Sequence, residues 1–148
     1  GCKEIVKHIP VNFDHIACAC GTGTTLTGII LSLKSVQQAL GFQILKAPRY
    51  IHREVARQLG ASGQSKNNWC VFDNYHFDGY AKIKAELSAF IEKFESNHRI
   101  PLDPIYTGKM MYGLYDLIGQ GHFKKGETIV AVHTGGLQGK WSNQAIHK

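Results

Sequence analysis

Residues 18–28, with the sequence CACGTGTTLTG, constrain the fold of this chain most strongly. A short apolar, strand-like run from His15 to Cys20 leads directly into glycines and threonines, and a helix-like apolar run follows. Glycine permits a sharp turn and a close approach of the backbone to a ligand, while the first N–H groups of a helix have no intrahelical partners. Because the helix dipole adds positive charge there, the stretch predicts an anion site that suits a phosphate.

The glycine and threonine loop of residues 21–25 by itself leaves two interpretations open. It is not a Walker loop, since no lysine follows the glycines, and Leu26 stands where Gly-x-Gly-x-x-Gly requires its third glycine. Thr22, Thr24 and Thr25 would supply hydroxyl donors to a phosphate. Alternatively, the loop is a tight strand-to-helix turn whose threonines only cap the helix.

Size and charge narrow the class of protein. The chain has 148 residues, which suits one domain with a real core, and 43% of them are hydrophobic. Its 17 basic and 11 acidic residues give a net charge of +6, but the basic residues are scattered, which favours a solvated surface over a nucleic-acid interface. No run approaches the ~20 apolar residues of a membrane span. We therefore expect neither a nucleic-acid nor a membrane partner.

The four cysteines predict a reducing compartment. Cys18 and Cys20 are two residues apart on one side of a predicted strand, and neither they nor Cys2 and Cys70 complete a zinc-binding pattern. Buried reduced thiols are the interpretation we favour, and they predict a cytoplasmic protein.

Apolar periodicity predicts alternating strands and helices. The predicted helices span residues 2–9, 26–40, 49–59, 79–97 and 107–119, and the predicted strands lie within 11–20, 42–47, 69–72 and 127–133. This order predicts an α/β fold with a largely parallel sheet flanked by helices. Since ligands of such sheets bind beyond the carboxyl ends of the strands, the loops at 21–25 and 134–139 would line one crevice, with residues 102–109 as a third wall.

Three segments together resemble a known family. They are Gly21-Thr22-Gly23-Thr24-Thr25, Asp103-Pro104-Ile105-Tyr106-Thr107-Gly108-Lys109 and His133-Thr134-Gly135-Gly136. In this order and spacing they resemble the pyridoxal-phosphate enzymes of the 1-aminocyclopropane-1-carboxylate deaminase and D-cysteine desulfhydrase family, which has the tryptophan-synthase-β-like fold (fold type II). The resemblance runs along nearly the whole chain.

The resemblance implies a role for each matching residue. Residues 21–25 match the loop that holds the phosphate of pyridoxal 5'-phosphate. Tyr106 matches an active-site tyrosine near the substrate and the cofactor ring, and Tyr75 matches a second, substrate-side tyrosine over a looser local alignment. Thr107 matches the residue that approaches the pyridine nitrogen, and Thr134 resembles a second neighbour of that nitrogen. Without the family, Tyr106 would be interpreted as a buried aromatic residue with a bonded hydroxyl.

Position 107 distinguishes two activities within the family. The deaminase pattern has a glutamate there, whereas Thr107 is similar to desulfhydrase-like members. A carboxylate would favour a protonated pyridinium and a strong electron sink, while a neutral hydroxyl would not. Elimination of a thiol needs less of that sink than opening a cyclopropane does. The resemblance therefore implies α,β-elimination from a small amino acid such as D-cysteine, with 1-aminocyclopropane-1-carboxylate deamination as the alternative.

One departure from the family pattern concerns the Schiff-base lysine, which in the family lies far upstream of the phosphate loop. Only Lys3 and Lys7 precede the loop here, and neither resembles that position. We therefore expect residues 1–148 to be the C-terminal part of the pyridoxal-phosphate-binding domain, inactive alone and homodimeric when full length. Two other classes stay open: a non-catalytic module that binds a phosphorylated ligand, and a structural fragment that binds none.

Overall fold

The computed structural model describes residues 4–133, which form a parallel sheet with helices on both faces. The helices are α1 (Glu4–Lys7), α2 (Thr24–Ser32), α3 (Tyr50–Ser62), α4 (Ala85–His98) and α5 (Thr107–Gly119). The strands are β1 (His15–Cys20), β2 (Gln38–Gln43), β3 (Trp69–Phe72) and β4 (Ile129–Ala131), in the spatial order β3-β2-β1-β4. Within residues 4–133, no helix is long and apolar enough to cross a membrane.

Strand β1 is central, and its alternating side chains form two separate cores. Ala17 pairs with Leu40 of β2 and with Ala131 of β4, and all three pairings of the sheet are parallel. Ile16 and Cys18 pack on one face with residues of α2 and α3, whereas Ala17 lies on the other face with residues of α5. Period-two alternation of a strand buried on both sides explains this division. The predicted fold class is confirmed.

The boundary between α2 and β2 differs from the prediction. The helix predicted over 26–40 ends at Ser32, and the strand predicted over 42–47 spans Gln38–Gln43, so Leu40 lies in the sheet. Gly41 therefore ends no helix. A Cβ at Gly41 would lie 2.5 Å from Leu26 Cδ2 and 3.0 Å from Cys20 Sγ, so the absent side chain lets α2 pack closely on the sheet. A periodic apolar pattern ran through both elements and concealed the turn between them.

Other boundaries shift less. The helix predicted over 79–97 begins at residue 85, because residues 77–79 have positive φ angles that no helix accommodates. The helix predicted over 49–59 continues to residue 62, and the strand predicted over 127–133 is limited to 129–131. The helix at 107–119 and the strand at 69–72 are confirmed to the residue, and the predicted N-terminal helix is described as residues 4–7.

Candidate functional site

The loop between β1 and α2 has the geometry of an anion site. Gly23 precedes the helix with φ +82°, a left-handed conformation that favours glycine. The carbonyl oxygen of Gly23 accepts hydrogen bonds from both the N–H and the Oγ1–H of Thr27, each at 2.9 Å. These two bonds fix the loop to the first turn of α2. Thr22 and Thr24 are exposed beside the helix start, with their hydroxyl oxygens 3.5 Å apart. The N–H of Thr24 also donates to Thr22 Oγ1 at 3.5 Å, so the start of α2 and two hydroxyls meet at the carboxyl end of the central strand.

The two loop glycines leave space that a side chain would fill. A Cβ at Gly23 would lie 3.1 Å from Val55, and one at Gly21 would lie 3.8 Å from Cε1 of Tyr106 and 3.9 Å from Ile44. Gly23 thus packs against α3, and the ring of Tyr106 lies beside Gly21. A donor set of helix-end N–H groups and threonine hydroxyls, together with this glycine cradle, fits the phosphate of a small cofactor.

The start of α5 is organised by the buried carboxylate of Asp103, which is 1% exposed. Its Oδ2 accepts the N–H groups of Ile105 at 2.9 Å and Tyr106 at 2.6 Å, and its Oδ1 accepts the N–H of Thr107 at 3.0 Å. Oδ1 also accepts the hydroxyl of Thr107 at 2.5 Å. These four bonds satisfy a carboxylate that would otherwise be costly to bury. They also fix Tyr106 and Thr107 at the edge of the loop.

Tyr106 forms a pair with Tyr80, a residue that the sequence did not single out. The two hydroxyl oxygens are 3.1 Å apart, and the rings meet edge to face with their centroids 5.9 Å apart. The hydrogen bond to Tyr80, followed by burial, raises the pKa of Tyr106 to about 12. The Tyr106 phenol is therefore protonated near neutral pH and can donate or accept a hydrogen bond. The only sequence signal for Tyr80 is the turn residue Gly79 before it.

Tyr75 lies elsewhere. Its ring is 7% exposed and packs against Phe42, and its hydroxyl donates to Asp116 Oδ2 at 2.7 Å on the face that α5 covers. Burial and then Asp116 raise the pKa of Tyr75 to about 12. The structure thus brings Tyr106 beside Gly21, with Tyr80 bonded to it, while Thr107 is buried with its hydroxyl bonded to Asp103 and Tyr75 donates its hydroxyl to Asp116 of α5.

Two further predictions concern the end of the chain. Thr134 and the glycine-rich turn at 134–139 lie outside the described residues. His133, the last described residue, is exposed, and its Nε2 lies 2.7 Å from the carbonyl oxygen of Pro101. This contact joins the segment after β4 to the segment that leads to Asp103.

Fold and site together define a class: a parallel α/β domain with a glycine- and threonine-rich loop after its central strand and a tyrosine pair beside that loop. The model of the pyridoxal-phosphate dependent enzyme family matches residues 2–135. The chain belongs to this family. Family membership and the predicted cofactor class are thereby confirmed.

Curated relatives carry the two activities that the resemblance implied. The chain is 34% identical to the mitochondrial bifunctional D-cysteine desulfhydrase/1-aminocyclopropane-1-carboxylate deaminase of Arabidopsis thaliana over 137 residues, which cover 87% of this chain and 34% of that protein. It is 29% identical to the D-cysteine desulfhydrase of Klebsiella pneumoniae over 134 residues, covering 85% and 41% respectively. The chain thus spans about two fifths of the length of these relatives or less.

A solved structure has the same architecture. The crystal structure of an ACC deaminase homologue superposes with a TM-score of 0.76 and 30% sequence identity. The superposition covers 99% of this chain and 47% of that chain. The likeness therefore includes the whole sheet described above, within a protein about twice as long. The roles of single residues at the site stay predictions.

Proposed function

We propose that residues 1–148 form the C-terminal part of the cofactor domain of a pyridoxal-phosphate-dependent lyase of the D-cysteine desulfhydrase type. The reaction is α,β-elimination, in which D-cysteine and water give pyruvate, ammonia and hydrogen sulfide. The single observation that carries the proposal is the position of Tyr106 against Gly21, because it places a phenol beside the phosphate loop. A module that only binds phosphate needs no such tyrosine pair.

The chain's own residues have separate tasks in this proposal. Residues 21–25 bind the cofactor phosphate through helix-end N–H groups and the hydroxyls of Thr22 and Thr24. Tyr106, supported by Tyr80, holds a proton at its hydroxyl on the substrate side of the site. Asp103 fixes both Tyr106 and Thr107 through the helix start. The bound cofactor supplies the electron sink that stabilises negative charge at the substrate's α-carbon.

Thr107 favours elimination of thiol over opening of a cyclopropane. Its hydroxyl is neutral and donates its single proton to Asp103 Oδ1 at 2.5 Å. The carboxylate of Asp103 is itself occupied by four hydrogen bonds, so the site offers the ring nitrogen no free anionic partner from this element. An unprotonated ring withdraws electrons less strongly. The weaker electron withdrawal of an unprotonated ring is sufficient where the leaving group is a thiol.

The decisive experiment is a titration of the purified chain with pyridoxal 5'-phosphate, followed by absorbance and by thermal unfolding. Because binding to the native state stabilises it by mass action, we expect the melting temperature to rise with cofactor concentration. Gly23→Ala should abolish most of this rise, since its Cβ would lie 3.1 Å from Val55 at φ +82° in the phosphate loop.

A matched control separates binding from backbone strain. Gly63 has φ +75° at the end of α3, and a Cβ there would meet nothing within 4 Å. Gly63→Ala should therefore cost about the same ~1 kcal/mol of conformational strain and leave cofactor binding unchanged. A nucleotide that competes equally with pyridoxal phosphate would instead support the non-catalytic phosphate-binding module. An unchanged melting temperature at saturating cofactor would contradict both.

The proposal extends to compartment and assembly. Cys18, Cys20 and Cys70 are free thiols, and the first two are buried with their sulfurs 3.8 Å apart. Buried unlinked thiols support a reducing, cytoplasmic location.

A homodimer of the full-length protein is proposed from the family resemblance. Light scattering of that protein would test it.

A further inference from the structure

A buried lysine of α5 bonds the loop that carries Tyr80. Lys109 is 1% exposed, and its Nζ donates to the carbonyl oxygen of Gly79 at 2.7 Å and to that of Tyr80 at 3.0 Å. These bonds connect positions 30 and 29 residues apart. A buried ammonium is costly unless its donors are satisfied, so the bonds are required by its burial. Lys109 lies in the first turn of α5, three residues after the N-cap residue Tyr106.

The loop that Lys109 holds has a strained backbone, and its other contacts include Phe77 against Tyr112 and the N–H of Gly79 on the His76 carbonyl oxygen at 3.2 Å. Phe77, Asp78 and Gly79 have φ angles of +53°, +68° and +133°, and the first two are left-handed without being glycine. Such conformations persist only where surrounding contacts enforce them. The carboxylate of Asp78 contributes an exposed ion pair with Lys84 at 2.6 Å, which solvent screens. Among the hydrogen bonds of residues 4–133, the one from Lys109 Nζ reaches the backbone carbonyl oxygen of Tyr80.

We propose that Lys109 is a positioning residue: by bonding the Gly79 and Tyr80 carbonyls, it holds the Tyr80 phenol against Tyr106 at the edge of the phosphate loop. The importance of Lys109 for substrate chemistry rests on the proposed function. The claim that Lys109 positions Tyr80 does not depend on that function. Tyr106 is the N-cap residue of α5, and the same helix holds Tyr80 through Lys109. The geometry of the pair thus depends on a single rigid helix.

The proposal has a signature that loss of a charge alone would not produce. Removing a nearby cation by itself destabilises a phenolate and raises the pKa of Tyr106. Releasing Tyr80 removes the hydrogen bond that raises this pKa, so it lowers the pKa from about 12 toward the ordinary value of ~10. The two effects have opposite signs. Tyr80→Phe gives the second effect directly.

The test uses NMR of the 148-residue chain labelled on tyrosine, without cofactor. In the wild type we expect a nuclear Overhauser contact between the rings of Tyr80 and Tyr106, and a Tyr106 signal that is still phenolic at pH 11. Lys109→Met should remove the contact and lower the Tyr106 pKa below that of the wild type. In a Tyr80→Phe background, Lys109→Met should produce no further fall, because Lys109 acts through Tyr80.

Lys84→Met is the matched control, since it removes a positive charge that serves the same loop from its exposed side. It should keep the ring contact. A retained contact in Lys109→Met, or a raised Tyr106 pKa, would overturn the proposal.

If Lys109→Met does not fold, the wild-type chain provides the test. Scalar couplings from Lys109 ¹⁵Nζ to the carbonyl carbons of Gly79 and Tyr80 would support the proposal, and their absence would contradict it. If only the proposed function is wrong, the cofactor titration shows no rise in melting temperature, while these NMR signals are still observed.

Discussion

At the scale of single residues, Asp103 determines how the site begins. Its buried carboxylate binds three successive backbone N–H groups and the Thr107 hydroxyl, so the first turn of α5 has its donors satisfied by one side chain. The sequence analysis gave Asp103 no role beyond its place in the motif. These hydrogen bonds, together with the attraction of Lys109, allow the carboxylate to be buried, and only the folded segment could reveal them.

The raised pKa of Tyr75 predicts that the free energy of unfolding falls at alkaline pH. Its pKa in the folded chain is raised to about 12 by burial first and by Asp116 second, whereas in the unfolded chain it is ~10. The folded state therefore holds this proton more tightly, which stabilises it fully below pH 10; this stabilisation is lost as the pH rises from 10 to 12. Tyr75→Phe should flatten this part of the pH profile and cost ~1 kcal/mol near neutral pH through the lost hydrogen bond.

Denaturant unfolding between pH 7 and 12 measures this effect. Tyr50→Phe, on a residue that is 37% exposed, is the control and should follow the wild type. A Tyr75→Phe profile as steep as that of the wild type would show that the Tyr75 phenol does not titrate as proposed. Tyr106 contributes in the same window, so a residual slope is expected.

At the scale of elements, glycines set how closely helices approach the sheet. A Cβ at Gly113 of α5 would lie 2.6 Å from Cε1 of Phe42 and 3.0 Å from Cδ2 of Tyr75. Gly41 gives α2 the same close approach on the opposite face. Both helices therefore pack on β2 through positions where only hydrogen fits, and α5 is thereby placed so that its first turn reaches the phosphate loop.

Gly113→Ala tests this packing. We expect a loss of ~1–3 kcal/mol in the free energy of unfolding, because a methyl group enters a filled core and the aromatic rings must move. Gly119→Ala, at the last residue of the same helix with nothing within 4 Å of its Cβ, should be neutral or stabilising by up to ~1 kcal/mol through helix propensity. Urea unfolding of both variants makes the comparison. Equal values for the two would contradict close packing at Gly113.

At the scale of the whole molecule, the sheet order β3-β2-β1-β4 predicts a gradient of stability. The inner strands β1 and β2 are mostly buried, while every residue of the edge strands β3 and β4 is half-buried. Since local opening needs least free energy where few buried contacts are lost, native-state hydrogen exchange should be slowest in His15–Cys20 and Gln38–Gln43. Amides of Trp69–Phe72 and Ile129–Ala131 should open at lower free energies. Uniform protection across the four strands would contradict this gradient.

Much of the fold was accessible from sequence because its signals are local. The glycine and threonine loop, the alternation of strands with helices, and the helix at 107–119 follow from backbone freedom, apolar period and capping, which act over a few residues. The α2–β2 boundary was wrong because one apolar pattern crossed a turn. Family membership followed from three ordered motifs, and the match over residues 2–135 confirms it.

By itself, the sequence determined the fold class, the glycine- and threonine-rich loop after the central strand, and the family. Only the tertiary structure decided which side chains meet at the loop. Tyr80 reaches Tyr106 from 26 residues away, and Tyr75 turns to Asp116 across 41 residues. Such contacts depend on how elements pack and on where a strained loop is held, and no local propensity encodes them. Residues 77–79 redirect the chain between the two tyrosines, which is why the partner of Tyr106 was found only in the folded molecule.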